Sequence, residues 1–104
     1  MSKLQPNQLT VRRIASLKDG VHGDGGNLWI TIRGETRAWT FRFKSPLTGK
    51  RREMGLGPAR DVSLSEARAK ATNARRLLLE GIDPLEEQTK RKRRIVRERT
   101  FEEV

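Results

Sequence analysis

Between residues 27 and 44 the chain alternates with a period of two. Leu28, Ile30, Ile32, Trp39, Phe41 and Phe43 fall on one side, and Trp29, Thr31, Arg33, Thr40, Arg42 and Lys44 on the other. Successive side chains of an extended chain point to opposite faces, so this pattern calls for two strands with one buried face and is incompatible with a helix. The apolar face needs a layer packed against it. The other face carries cations, hydroxyls and an indole, residue types suited to phosphates, base edges and thymine methyls.

The two strands pair as a hairpin. Directly opposed residues must share a face, and a turn at Glu35-Thr36 satisfies this by opposing Ile30 with Phe41, Leu28 with Phe43, Thr31 with Thr40 and Trp29 with Arg42. The last pair permits a cation–π contact. A third strand, residues 50–56, follows the turn Ser45-Pro46-Leu47-Thr48-Gly49, with Met54 and Leu56 inward and Arg51 and Glu53 outward. Glu53 then faces Arg42 or Lys44.

Helices flank this unit. Ser63-Leu64-Ser65-Glu66 has the form of a capping box and predicts a helix over residues 63–80 that stops at Gly81. Its stripe of Leu64, Ala67, Ala71, Ala74 and Leu78 is small enough to lie close against the large rings of the sheet. Residues 10–17 space Val11, Ile14 and Leu17 for a short helical turn with Arg12 and Arg13 outward. Residues 19–26, with four glycines, read as a loop; they lack the phosphate-loop lysine and a full dinucleotide fingerprint. Asp83-Pro84 reads as an N-cap followed by proline at the first helical position. The stretch beyond it, 86–99, has almost no apolar stripe and is expected to be a basic linker, partly helical or disordered.

Charge is concentrated in two zones of a chain whose net charge is +10 over 104 residues. Residues 27–60 hold eight Lys or Arg against two Glu, residues 90–99 hold seven against one, and residues 81–89 are net acidic. Such a balance favours a polyanionic partner, nucleic acid or an acidic membrane surface. Cysteine is absent and histidine occurs once, so disulfides, thiolate metal sites and a multi-histidine zinc site are excluded, and neither cofactor nor metal is expected. No apolar run approaches the ~20 residues that span a bilayer, and the polar start Met1 to Gln8 lacks a signal-peptide core. A cytoplasmic protein that neither spans a membrane nor carries a signal peptide is the expectation.

Five motifs in order carry a family resemblance: Asp24-Gly25-Gly26-Asn27-Leu28-Trp29, then Trp39-Thr40-Phe41-Arg42-Phe43 with Gly49-Lys50-Arg51-Arg52, then Gly55-Leu56-Gly57, then Asp61-Val62-Ser63-Leu64-Ser65-Glu66-Ala67-Arg68, and Glu80-Gly81-Ile82-Asp83-Pro84. Over residues 9–85 the chain resembles the N-terminal arm-type DNA-binding domain of prophage and genomic-island tyrosine integrases. It departs from the common pattern at Asn27 and in its short 34–36 turn. The resemblance implies an α+β fold, a three-stranded antiparallel sheet packed on one α-helix with a basic C-terminal linker, whose sheet enters the major groove of arm-type sites. It further implies a division into an arm-type domain (1–85), a linker (86–99) and, at Thr100-Phe101-Glu102-Glu103-Val104, the opening of a core-binding domain. The chain contains no tyrosine, so the phosphotyrosyl chemistry of such integrases would belong to another part of the full-length protein.

On this reading Trp29, Thr31, Arg33, Thr40, Arg42, Arg51 and Glu53 make base or near-base contacts, with Arg33, Arg42 and Arg51 as the bidentate readers of guanine. Glu53 either accepts from cytosine or holds Arg42 in place. Arg37, Lys44, Lys50 and Arg52 lie nearer strand ends and contact phosphates, although the parity of Arg52 is inward. Double-stranded DNA is the expected partner, with other integrase subunits or an excision factor as further ones. Two alternatives stand beside this reading: an RNA-binding module, and a protein-interaction module that couples recombinase subunits and binds nucleic acid only nonspecifically.

Overall fold

A computed structural model describes residues 8–102, with side-chain surroundings described as far as Ile95. The polar start up to residue 7 and the last two residues of the 100–104 segment therefore lie outside the described residues. The elements run α1 (Val11–Ser16), β1 (Gly20–Gly25), β2 (Leu28–Arg33), β3 (Thr36–Lys44), β4 (Arg51–Pro58), α2 (Leu64–Leu79) and α3 (Pro84–Glu102). The strands form one antiparallel meander in the order β1-β2-β3-β4.

The alternating segment forms β2 and β3 with the expected faces. Leu28, Ile30, Ile32, Trp39, Phe41 and Phe43 are all buried, together with Met54 and Leu56 of β4. The register is different from the expected one. Leu28 pairs with Phe41, Ile30 with Trp39 and Arg33 with Thr36, so the turn is Gly34-Glu35. Glycine adopts φ +58° in the first position of this two-residue turn, as a tight hairpin requires, and its amide donates to the Asp19 carboxylate at 3.1 Å. The slip is two residues, one full period of the strand, which leaves every side chain on its expected face.

The strand count is corrected. The sheet has four strands, because the glycine-rich stretch read as a loop is β1, paired with β2 from Gly20 opposite Ile32 onward. Its backbone completes the ladder while its side chains supply almost no apolar volume, so no alternation marks it. The basic segment expected as a linker falls within helix α3, 19 residues from Pro84 to Glu102. In α1 only Ile14 is buried, and Val11 is 74% exposed, so the expected three-residue stripe is only partly used.

α2 begins as expected. The Ser63 hydroxyl accepts from the Glu66 amide and the Glu66 carboxylate accepts from the Ser63 amide, each at 3.1 Å. Leu64, Ala67, Ala71 and Ala74 are buried, with Leu78 packed at the margin, and the helix lies over β2 and β3. Small side chains on the helix and large rings on the sheet share one volume, and the indole N–H of Trp39 is satisfied by the Val62 carbonyl at 2.8 Å.

α3 is tied to the sheet at its root. Asp83, almost fully buried, accepts from the amides of Leu85 and Glu86 through Oδ1 and from the Ser45 hydroxyl (2.6 Å) and Arg52 guanidinium (3.1 Å) through Oδ2. Burial alone would raise the pKa of this carboxyl. The Ser45 hydroxyl, the two amides and Arg52 outweigh it and hold the group below its ordinary value. A depressed folded-state pKa contributes stability above the unfolded value of about 4, and that contribution is lost as the pH falls through the folded pKa. Urea midpoints from neutral pH down to about pH 2 should therefore fall more for the wild type than for Asp83→Asn, with the difference opening below about pH 4. Parallel profiles would show that Asp83 is not so held.

Candidate nucleic-acid interface

The face of the sheet turned away from α2 is built in rows across the strands. Gly23, Trp29, Thr40 and Gly55 are mutual register partners and form one row; Arg42 opposite Glu53 and Lys44 opposite Arg51 form the next two toward the β3–β4 turn. The Trp29 ring lies over Gly23. A methyl group at that position would meet the indole at 3.1–3.3 Å, so the absence of a side chain in β1 lets the ring lie low.

Arg42 is held on two sides. Its guanidinium carbon lies 5.0 Å from the centroid of the Trp29 ring, and its Nε donates to Glu53 Oε1 at 3.0 Å. The expected cation–π pair forms diagonally, since the residue opposite Trp29 is Thr40. Asn27, the only described non-glycine residue with positive φ (72°), fixes the backbone beneath: its side-chain amide donates to the Arg42 carbonyl at 2.8 Å, and its carbonyl accepts from the Arg42 amide at 2.9 Å. No hydrogen bond from either Nη atom of Arg42 to a described residue is formed. The guanidinium thus retains the forked edge that reads an acceptor pair.

Trp29, Arg42, Lys44, Arg51 and Glu53 border one shallow depression, to which Asn27 also contributes. Thr31 and Thr40 are half-buried in the middle of the face. The Thr40 hydroxyl oxygen is buried with no hydrogen-bond partner among the described residues, so the exposure that Thr40 keeps comes from its other atoms. Lys50 is exposed in the β3–β4 turn beside this cluster.

Two of the expected contact residues lie elsewhere, and a third, Arg52, borders the same depression with its guanidinium committed to carboxylates. Arg33 sits by the Gly34-Glu35 turn; its partner Thr36 is eight residues along β3 from Lys44, roughly 27 Å at strand spacing. Arg37 has inward parity and reaches the Ala15 carbonyl at 3.4 Å. Arg52 also turns inward, to Asp83 and Glu86 at 3.1 Å each; Glu86 most strongly, then Asp83, favours its charged form.

Sequence reasoning missed Gly23 and Asn27 as parts of this surface. The only available signal was their place in a glycine-rich run directly before an alternating strand. Among the described residues no group of His, Cys, Asp or Glu is placed to hold a metal ion, and no helix is long and apolar enough to cross a membrane.

The model of the arm DNA-binding domain matches residues 9–91. The integrase of Enterobacteria phage P4 is 34% identical over 62 residues, 59% of this chain and 14% of that protein. The prophage integrase IntA of Escherichia coli K12 is 37% identical over 90 residues, 83% of this chain and 22% of that protein. The chain thus spans less than a quarter of the length of these relatives.

Proposed function

This chain belongs to the arm DNA-binding domain family, and from that membership we propose that it is the noncatalytic DNA-binding domain of a phage-type tyrosine integrase. It positions the recombinase by inserting the outer face of its sheet into the major groove of arm-type sites. The observation that carries this reading is the Trp29-Arg42-Glu53 cluster on a face whose other prominent charges are Lys44 and Arg51. A guanidinium stacked on an indole and bonded at Nε presents its Nη edge with little freedom left to lose, which favours a bidentate contact with guanine O6 and N7.

The roles divide by position. Arg42 and Arg51 read base edges, Trp29 and the methyl groups of Thr31 and Thr40 make apolar contact with thymine, and Glu53 orients Arg42. Lys44 and Lys50 neutralise phosphates and fix the register of the sheet on the duplex. Arg33 meets the groove only where the strands run along it, because a groove about 12 Å wide is narrower than the sheet is long. Arg37 and Arg52 serve the fold.

The test is a salt titration. If the sheet neutralises about four to six phosphates, log affinity for duplex DNA falls with log salt at a slope of roughly −4 to −5 from this face. A flat profile would exclude an electrostatically anchored DNA interface.

A further inference from the structure

In α3, Leu85, Glu87, Gln88 and Thr89 are half-buried, whereas every side chain from Lys90 to Ile95 is exposed. The helix therefore leaves the body near Lys90 and runs on to Glu102, about 18 Å further at 1.5 Å per residue. Lys90, Arg91, Lys92, Arg93 and Arg94 are consecutive cations, and none forms an ion pair with a described residue. Helical spacing sets Lys90 beside both Arg93 and Arg94, and Arg91 beside Arg94, like-charge pairs that destabilise a helix. Within residues 90–95 no buried face offsets them, since all six side chains are exposed, Ile95 at 47%. Negative charge supplied from outside would relieve these repulsions and strengthen the helix.

Its root, by contrast, is fixed. Asp83 caps the helix while bonded to Ser45 and Arg52, and Glu86 takes a second bond from Arg52, so α3 starts at a set position beside the strand pair that carries Arg42 and Arg51. The cations occupy more than one full turn and surround the helix. That arrangement suits the extended field of a polyanion better than a protein surface, which would have to match them on one side. Resting on the reading that the sheet binds DNA, we infer that residues 90–94 of α3 are a second duplex contact, a sequence-independent phosphate-binding arm whose helix is stabilised by the DNA it neutralises.

The test compares the chain with a variant in which Lys90, Arg91, Lys92, Arg93 and Arg94 are all replaced by glutamine, which keeps length and helix propensity and removes the charge. The probe is a scrambled-sequence DNA duplex, titrated by fluorescence anisotropy between about 50 and 200 mM salt. The variant's log–log slope should be shallower by about 2 to 4, so that the ratio of wild-type to variant affinity changes by about 16- to 250-fold across that fourfold range of salt, on this and every other duplex. Duplex should raise the far-ultraviolet helical signal of the wild type and leave that of the variant unchanged. An unchanged slope overturns the inference, and so does a variant that binds duplex normally but loses self-association or binding to polyglutamate, which would assign the segment to protein partners. If the wild type binds no duplex, the DNA-binding reading falls too; if it binds and the variant matches it, only this inference falls. Arg91→Gln and Arg93→Gln, each making the slope shallower by up to about 1, repeat the test should the fivefold variant not fold.

Discussion

Asp24→Ala should destabilise the domain by about 3 kcal/mol, a large part of the 5–15 kcal/mol that holds a domain folded. Asp24 is 1% exposed and accepts three bonds: from the Leu9 amide at 2.7 Å and from Nη2 and Nε of Arg68 at 2.9 Å each. Arg68 Nη2 also donates to the Leu9 carbonyl at 2.7 Å. One carboxylate therefore joins the N-terminal segment, strand β1 and helix α2. Truncation leaves a buried amide without an acceptor and a guanidinium without its counter-charge. The Arg68 side chain keeps 30% of its exposure and rehydrates in part, which places the cost at the low end for a broken buried pair. A thermal midpoint lower by roughly 10 to 20 °C is the expected reading in a chain of this size. A double-mutant cycle with Arg68→Ala should show strong coupling; additive effects and a midpoint near the wild-type value would refute the clamp.

Arg42→Ala should weaken binding to the preferred duplex by about 1–3 kcal/mol while changing affinity for unrelated duplex much less. The preferred sequence is obtained by selection from a randomised duplex pool, and the measured quantity is the ratio of the two affinities in one buffer. The Arg42–Glu53 pair is 40% and 58% exposed, so the folded state loses little with the side chain, and a denaturation midpoint within about 0.5 kcal/mol of wild type separates lost recognition from lost fold. Glu53→Gln should lower the same ratio by a smaller amount, because Arg42 keeps its charge and its indole but not the carboxylate that aims it. An unchanged ratio in Arg42→Ala would move recognition to another part of the surface.

Strand period, face assignment, the helix cap at Ser63 and the two basic zones were all legible in the residues. Each is a local property: a side chain's face depends on parity, and a cap depends on residues three apart. Register was legible only to within a period, since shifts of two residues satisfy parity equally. The two-residue turn chosen by Gly34 decided between them.

Strand β1 and the anchoring of the α3 root were not legible, because both rest on contacts between distant parts of the chain. β1 is held by backbone hydrogen bonds to β2 and by one buried carboxylate whose partner lies 44 residues away, and neither leaves an apolar pattern behind. The root of α3 is set by Asp83, whose bonds to Ser45 and Arg52 span 38 and 31 residues. Arg52 shows the same limit at the candidate site: its inward parity was legible, but the two carboxylates that hold its guanidinium are brought close only by folding. The sequence by itself determined which side chains share a face, because that follows from a two-residue period. Which of the cations on and around the sheet stay free for a partner was decided by tertiary structure, because a charge is committed or free according to counter-charges that only the folded chain brings within reach.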